Sequence, residues 1–187
     1  MRMRTMLSYV AIVFGVAIPL ALFEIWLDPF KAKGIGGFCF DESLWGRKLD
    51  IPVLSAVAGN CMVTPYHLTV FLAVVPALCG IAIWLVNRNT IRGTLAKLTF
   101  LLACQFGVMV TEDALWFTLN TAFRLHLPDA LPRLLHGEVA WFPRWIDFWA
   151  FKLPDFYVYL PIAIVVLLAI EHFASNKAHP DHPSTLL

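Results

Sequence analysis

Four long apolar stretches alternate with polar segments along the chain. They comprise residues 6–27, 68–86, 98–119 and 154–173. Each has the length needed to cross a bilayer, for which a helix takes about 20 mostly apolar residues. Because lipid offers no hydrogen-bond partners to the backbone, and four short segments are too few for a barrel, each stretch is predicted to be helical. The pattern therefore predicts an all-α integral membrane protein with four transmembrane helices in a compact bundle.

Composition supports this prediction. Of the 187 residues, 59% are hydrophobic and 14% are charged, whereas soluble domains carry about 25% charged residues. The net charge of +1 gives no indication of a nucleic-acid partner, so the lipid bilayer is the expected surrounding. Residues 1–173 are predicted to form one membrane domain, and the polar segment 174–187 to be a disordered tail.

The first apolar stretch is predicted to be a retained helix and not a cleaved signal peptide. Arg2 and Arg4 resemble the basic start of a signal peptide. However, the apolar run exceeds the usual length of about 7–15 residues. It also ends in Glu24, Trp26 and Asp28 and not in a small-residue cleavage site.

Positive charge predicts the orientation. Short basic segments tend to stay on the cytoplasmic side. The short segments that precede the first stretch and join the second to the third contain no acidic residue, and their cations include Arg2, Arg4, Arg88, Arg92 and Lys97. The long segments 28–67 and 120–153 hold eight Lys and Arg, mixed with acids. We therefore expect both termini in the cytoplasm, both long loops outside, and the plasma (inner) membrane as the location.

The second long loop is rich in tryptophan. Trp141, Trp145 and Trp149 recur at every fourth position, which places three indole rings on one face of a helix. Tryptophan favours the headgroup level of a membrane, where its ring is buried and its N–H group is hydrated. The spacing predicts an interfacial helix over residues 138–152.

Cysteines fall into two groups. Cys79 and Cys104 lie within apolar stretches and are expected to act as small hydrophobic residues. Cys39 and Cys61 share the first outer loop, with 21 residues between them. In an oxidising compartment they would form a disulfide worth about 3 kcal/mol, and in a reducing one they would remain free thiols.

Other chemical motifs are absent from the sequence. There is no metal-binding histidine spacing, Gly-rich phosphate loop or Ser-His-Asp arrangement. No metal is therefore predicted, and the cofactor is left open.

The most informative feature is a pair of adjacent acids in the third stretch, Glu112 and Asp113. A charged residue at the centre of a bilayer costs about 2.5–3.5 kcal/mol on insertion scales, so such residues usually face the bundle interior or a water-filled cavity. Counted from Lys97, Glu112 lies about 22 Å along the helix at 1.5 Å per residue. This places the acids in the outer third of the membrane.

Helical spacing adds polar neighbours to this pair. Trp116 and Asn120 follow Glu112 on the same helical stripe, whereas Asp113 is rotated by about 100°. The other stretches carry polar residues at their outer ends, namely Glu24, His67, Asp155, Tyr157 and Tyr159. We expect an outward-facing site in which Glu112 and Asp113 are the candidate catalytic residues and the seven others bind substrate.

Two interpretations of the acids are open. In the first, an acid in an apolar pocket acts as general acid, proton carrier or metal ligand. In the second, the acids form ion pairs that tie the helices to the outer loops. The candidate partners for these ion pairs are Arg124, Arg144, Lys152 and His67.

A segment of six residues resembles the Pro-x-Glu-Glu-x-x-Phe-Phe patch of the small membrane lycopene-cyclase domains. The segment is Glu112-Asp113-Ala114-Leu115-Trp116-Phe117. It departs from the patch at Asp113 and Trp116, and Val110 stands where the family has proline. In that family a membrane-embedded acid protonates an isoprenoid, so the resemblance implies an isoprenoid or lipid substrate for an enzyme of cyclase or isomerase type.

Three functional hypotheses follow. The first is an accessory subunit of a larger membrane complex, or a module that binds a lipid, a pigment or another apolar small molecule. The second is a membrane enzyme that uses Glu112 or Asp113 as acid and base. The third and weaker one is proton or metal handling, because four spans without repeats do not match a secondary transporter.

Overall fold

The computed structural model describes residues 3–27, 69–87, 91–125, 127–139, 142 and 144–177. These residues are mostly helical. The elements in chain order are α1 (Met3–Leu27), a π-helical segment (Val70–Val74) that continues into α2 (Val75–Asn87), α3 (Thr94–Ala122), α4 (Ala130–His136), the strands β1 (Trp145–Phe148) and β2 (Phe151–Pro154), and α5 (Phe156–Lys177).

Within the described ranges, three helices are long and apolar enough to cross a membrane. They are Met3–Trp26, Thr94–Ala122 and Phe156–Lys177, and they correspond to the first, third and fourth predicted spans. The second predicted span corresponds to the shorter apolar helix Val70–Leu85. At 1.5 Å per residue this helix rises by about 24 Å, less than the hydrocarbon thickness of about 30 Å.

Helix α3 is the centre of the fold, because it packs against α1, α2 and α5. Its residues at every fourth position form a fully buried stripe, as one face of a helix must when it meets other helices. The stripe consists of Ala96, Phe100, Cys104 and Val108. Gly107 allows α1 to come close to α3, since a Cβ atom there would collide with Tyr9 and Val13 of α1.

The start of α2 is shaped by Pro76, which has no N–H group to donate. In the π-helical segment the N–H of Val75 bonds to the carbonyl of Val70, so in the same register Pro76 would have bonded to Phe71. Gln105 of α3 supplies the missing donor, because its Nε2 lies 2.7 Å from the Phe71 carbonyl oxygen. A side chain of one helix thus completes the backbone of another.

The prediction of a helix over residues 138–152 is wrong. Strands β1 and β2 form an antiparallel hairpin, in which Trp145 pairs with Pro154 and Phe148 with Phe151. Aromatic and β-branched residues favour strands when tertiary contacts support them, and the hairpin packs on α4. Trp145 and Trp149 therefore do not lie on a helix, and within the described residues the fold is all-α except for this hairpin.

Several expectations fall outside the described residues. They concern the disulfide between Cys39 and Cys61, the position of His67, and Trp141. The last helix ends at Lys177, beyond the predicted end of the fourth span at residue 173.

Candidate functional site

The site centres on a contact between an acid of α3 and a phenol of α5. The Tyr157 hydroxyl donates a hydrogen bond to Asp113 Oδ2 at 2.6 Å. Asp113 is partly buried, and Tyr157 lies in the first turn of α5. The rotation of Asp113 relative to Glu112 lets it meet α5, which is the neighbour that α3 contacts most.

Two further carboxyl groups lie near this pair. Glu112 is 3% exposed, and it is close enough to Tyr157 for an electrostatic interaction. Glu24 of α1 interacts electrostatically with Asp113. Both glutamates also interact with other groups of the chain. Asp113 thus has a hydrogen bond to Tyr157 of α5 and lies within electrostatic range of Glu24 of α1, and Glu112, Asp113, Glu24 and Tyr157 are called the acid cluster below.

Three of the four predicted ion-pair partners, Arg124, Arg144 and Lys152, lie in the described ranges, and His67 lies outside them. Lys152 pairs with Asp147 of the hairpin at 3.4 Å, not with the acid cluster. Across residues 3–27, 69–87 and 91–177 as far as they are described, no salt bridge joins a cation to Asp113. The interpretation in which loop cations neutralise both acids therefore lacks support for Asp113. In the same part of the chain, no three His, Cys, Asp or Glu side chains are grouped to hold a metal ion.

Aromatic rings lie beside the acid cluster. The rings of Tyr157 and Phe156 lie with their centroids 4.5 Å apart. The Phe142 ring continues the row, with its centroid 5.4 Å from that of Phe156 and 6.2 Å from that of Phe117. Trp116 meets Phe117 edge to face at 5.0 Å. Tyr157 is therefore shared between the acid cluster and this group, which is called the aromatic cluster below.

Asn120 serves the fold and not the acid cluster. It is fully buried, its Nδ2 donates to the Trp116 carbonyl at 3.0 Å, and its Oδ1 accepts from the Leu127 N–H at 3.4 Å. These contacts hold the chain that leaves α3 against the end of that helix. Its predicted role in substrate binding has no support in this geometry.

Two other predicted residues lie apart from the cluster. Asp155 starts α5, since its carbonyl accepts from the N–H groups of Val158 and Tyr159, and its own N–H donates to the Arg144 carbonyl. Tyr159 is 59% exposed, because it points away from the bundle. The structure thus brings Glu24, Glu112, Asp113 and Tyr157 together and leaves Asp155 and Tyr159 outside.

An apolar groove of about 430 Å³ opens between α1 and α2. Its wall from α1 ends at Phe23, the neighbour of Glu24 in sequence. Its lining residues are Gly15, Val16, Pro19, Leu20, Phe23, Val74, Val75 and Leu78. This groove was not predicted from the sequence. The available signal was Pro19 and Gly15 in one apolar stretch, because small and ring-closed side chains leave space beside a helix.

The sequence analysis also missed a second buried acid. Glu171 of α5 is 3% exposed and accepts a hydrogen bond of 2.9 Å from the Ser175 hydroxyl. Its signal was an acid followed four residues later by a serine, a spacing that lets two side chains of one helix meet.

Comparisons with protein-family models, with curated proteins and with solved structures find no match for this chain.

Proposed function

We propose that this chain is a small multi-pass membrane protein that binds a lipid-like or pigment-like molecule at its outer side, as a binding module or as an accessory subunit of a larger membrane complex. The observation that carries the proposal is the apolar groove between α1 and α2, whose last lining residue on α1, Phe23, directly precedes Glu24 of the acid cluster in sequence. Binding sites for small molecules are mostly apolar, with a few polar groups that fix orientation.

The groove and the acids suit different parts of an amphipathic ligand. Leu20 and Phe23 offer an apolar wall, which favours a hydrocarbon chain or a polyene. Glu24 follows Phe23 and carries a carboxyl group, which favours a hydroxyl or amine head that donates a hydrogen bond. The nearby Asp113 and Glu112 add acceptors and negative charge at the same end.

The topology that we propose has four spans, with Val70–Leu85 as the second. Flanking residues complete its length, and the short basic connection before α3 lies in the cytoplasm together with both termini. This arrangement in a plasma membrane puts the acid cluster and the hairpin on the outer side. A reporter enzyme fused after Lys177 and active only in the cytoplasm tests the orientation.

The groove can be tested with a matched pair of glycine substitutions. Nothing lies within 4 Å of a Cβ atom added at Gly15 or at Gly80, so both sites accept a larger side chain. Only Gly15 lines the groove. We expect lipid extracts of the purified wild type and of Gly80→Leu to contain a stoichiometric apolar molecule by mass spectrometry, and extracts of Gly15→Leu to lack it. A wild-type protein that purifies as a clean monomer without such a molecule would refute the proposal.

A second candidate function is a membrane enzyme that uses Asp113 or Glu112 as acid and base on an isoprenoid or lipid substrate. The hydrogen bond from Tyr157 to Asp113 favours it. A carboxyl group beside other acids and held by a phenol is suited to bind and release a proton. The aromatic cluster would stabilise a cationic intermediate next to that proton.

Comparative lipid analysis separates the two functions. If the chain is an enzyme, cells that carry Asp113→Asn or Glu112→Gln accumulate a substrate that wild-type cells convert, while Asp147→Asn in the exposed hairpin has no effect. If the chain only binds its ligand, the lipid profile of the cell stays the same. Full conversion by both acid variants would rule out the enzyme.

A further inference from the structure

The hairpin ends in an exposed aromatic tip. Phe148 and Phe151 stack with ring centroids 5.3 Å apart and planes at 18°, and they are 39% and 41% exposed. Trp149, in the turn between the strands, is 110% exposed. Three large aromatic residues on a four-residue tip leave an apolar surface that nothing else in the described chain covers.

The backbone of the tip is strained. Trp149 has φ of 29°, a region that favours glycine and asparagine and costs a bulky residue about 1–2 kcal/mol. A two-residue hairpin turn usually has Asn-Gly or Asp-Gly for this reason. A tryptophan in this position gains no burial within the described chain. Such strain at an exposed residue indicates that its side chain serves a contact with something other than the described chain.

The hairpin lies at the level of the membrane surface. Helix α5 has 22 residues, a rise of about 33 Å, which matches the hydrocarbon thickness of about 30 Å. Its first turn therefore lies at the boundary of the hydrocarbon, and Asp155 alone separates it from β2. The strands of four residues extend by about 13 Å, so a hairpin that lies along the membrane surface keeps its tip at the headgroup layer.

Charged residues follow directly below the tip. Asp147 and Lys152 pair across the strands and form a salt bridge of 3.4 Å, with both side chains about half exposed or more. Arg144, before β1, is exposed as well. Aromatic residues at the tip with charged residues next to them are typical of a lipid interface. There the rings reach the boundary of the acyl chains, and the charges contact headgroups and water.

We propose that the tip formed by Phe148, Trp149 and Phe151 inserts into the outer leaflet of the membrane, at the boundary of headgroups and acyl chains. The other end of β1 is held by the fold, because Trp145 contacts Phe142 of the aromatic cluster at 5.5 Å. The insertion therefore fixes the position of the aromatic cluster relative to the bilayer. This inference does not depend on the ligand of the groove.

A fluorescent label at the tip tests the insertion. The full-length chain with Trp149→Cys, and with its four native cysteines replaced, is labelled with an environment-sensitive dye and reconstituted in phosphatidylcholine vesicles. We expect blue-shifted emission that spin-labelled lipids quench strongly and aqueous iodide quenches weakly. The matched control is Glu138→Cys, an exposed charged position before the hairpin, where iodide should quench strongly.

Two outcomes would overturn the proposal. A label at position 149 that iodide quenches as strongly as at position 138 shows a tip in water. A label that neither quencher reaches shows a tip covered by protein. Should the cysteine-replaced chain fail to fold, brominated lipids added to the otherwise native chain give the same answer. The quenched fraction of tryptophan fluorescence must then fall in Trp149→Ser, and an unchanged fraction contradicts insertion.

Discussion

Two acids in neighbouring helices, the partly buried Asp113 and the buried Glu171, obtain their hydrogen bonds in different ways. Asp113 of α3 accepts from Tyr157 of α5, a residue 44 positions away along the chain. Glu171 of α5 accepts from Ser175, one turn along the same helix. The contact of Glu171 exists as soon as its helix forms, whereas the contact of Asp113 exists only after the bundle has assembled.

The difference separates a structural acid from a candidate functional one. Ser175, four residues away on the same helix, donates the hydrogen bond to Glu171. Asp113 depends on another helix and shares its surroundings with Glu24 and Glu112. Carboxyl groups close together in an apolar setting are costly to ionise, so this arrangement is not expected to stabilise the fold by itself. Functional sites are where such costs occur.

The largest effect is expected when the contact between helices is removed. Tyr157→Phe keeps the ring and deletes the donor to Asp113. We expect the free energy of unfolding in mixed micelles to fall by about 2 kcal/mol, within the range for a hydrogen-bond acceptor that loses its donor away from water. Tyr159→Phe, at an exposed hydroxyl, is the control and should change it by less than about 0.5 kcal/mol. Equal effects of the two substitutions would show that the contact does not hold α3 to α5.

A somewhat smaller effect is expected at the other polar contact between helices. Gln105→Leu removes the donor to the Phe71 carbonyl in the π-helical segment. Loss of the donor to a partly buried carbonyl costs about 1–3 kcal/mol, and an α-helical register is disfavoured by Pro76. We expect a loss of about 1.5 kcal/mol by the same unfolding assay.

The control for Gln105 is Thr118→Val, because the exposed Thr118 hydroxyl bonds to the Ala114 carbonyl of its own helix. It should leave stability nearly unchanged. If Gln105→Leu leaves the stability unchanged, water or lipid-facing groups replace the amide. The loss of a polar contact between helices would then not be what costs most stability in this fold.

The sequence predicts this contrast only in part. Apolar length identifies the spans of α1, α3 and α5, because a bilayer sets a minimum length for every helix that crosses it. The acids stand out because charge is rare in such stretches. Because Glu24, Asp113 and Tyr157 lie toward the same predicted side of their spans, they were expected near one another; Tyr157 bonds to Asp113, and Glu24 lies within electrostatic range of it.

The remaining features depend on tertiary contacts that periodicity does not contain. The hairpin was predicted as a helix, because Trp145 and Trp149 fit a helical spacing as well as a strand followed by a turn. The role of Asn120 was missed because its partner Leu127 lies beyond the end of α3. The π-helical segment depends on Gln105, which is 34 residues from Phe71, although Pro76 alone indicates a break in the helix.

A still smaller effect is expected at the acid that is satisfied locally. Ser175→Ala removes the hydroxyl that donates to Glu171. We expect a loss of about 1 kcal/mol, typical of one hydrogen bond, and no change in the lipid that co-purifies with the chain. The neighbouring exposed Asn176→Ala is the control. A loss of bound lipid in Ser175→Ala would place Glu171 in the functional site and remove the contrast with Asp113.

The smallest effect is expected at an acid that is both local and exposed. The Arg133 side chain donates a hydrogen bond of 2.6 Å to Asp129 Oδ2 one turn away, and this bond lowers the pKa of the Asp129 carboxyl below its ordinary value. A lowered pKa in the folded state stabilises the fold above the unfolded-state value of about 3.9, and the contribution disappears as the pH falls through the folded-state pKa.

The Asp129→Asn variant lacks this contribution at every pH. Its melting temperature should therefore lie slightly below that of the wild type near neutral pH, and the two should converge in acid, as measured by thermal unfolding in detergent across the acidic range. Exposed ion pairs contribute little, so the neutral-pH difference should be smaller than that of Ser175→Ala. A larger difference for Asp129→Asn would reverse the order. Burial and contact between helices would then no longer explain which acids of this chain contribute most to its stability.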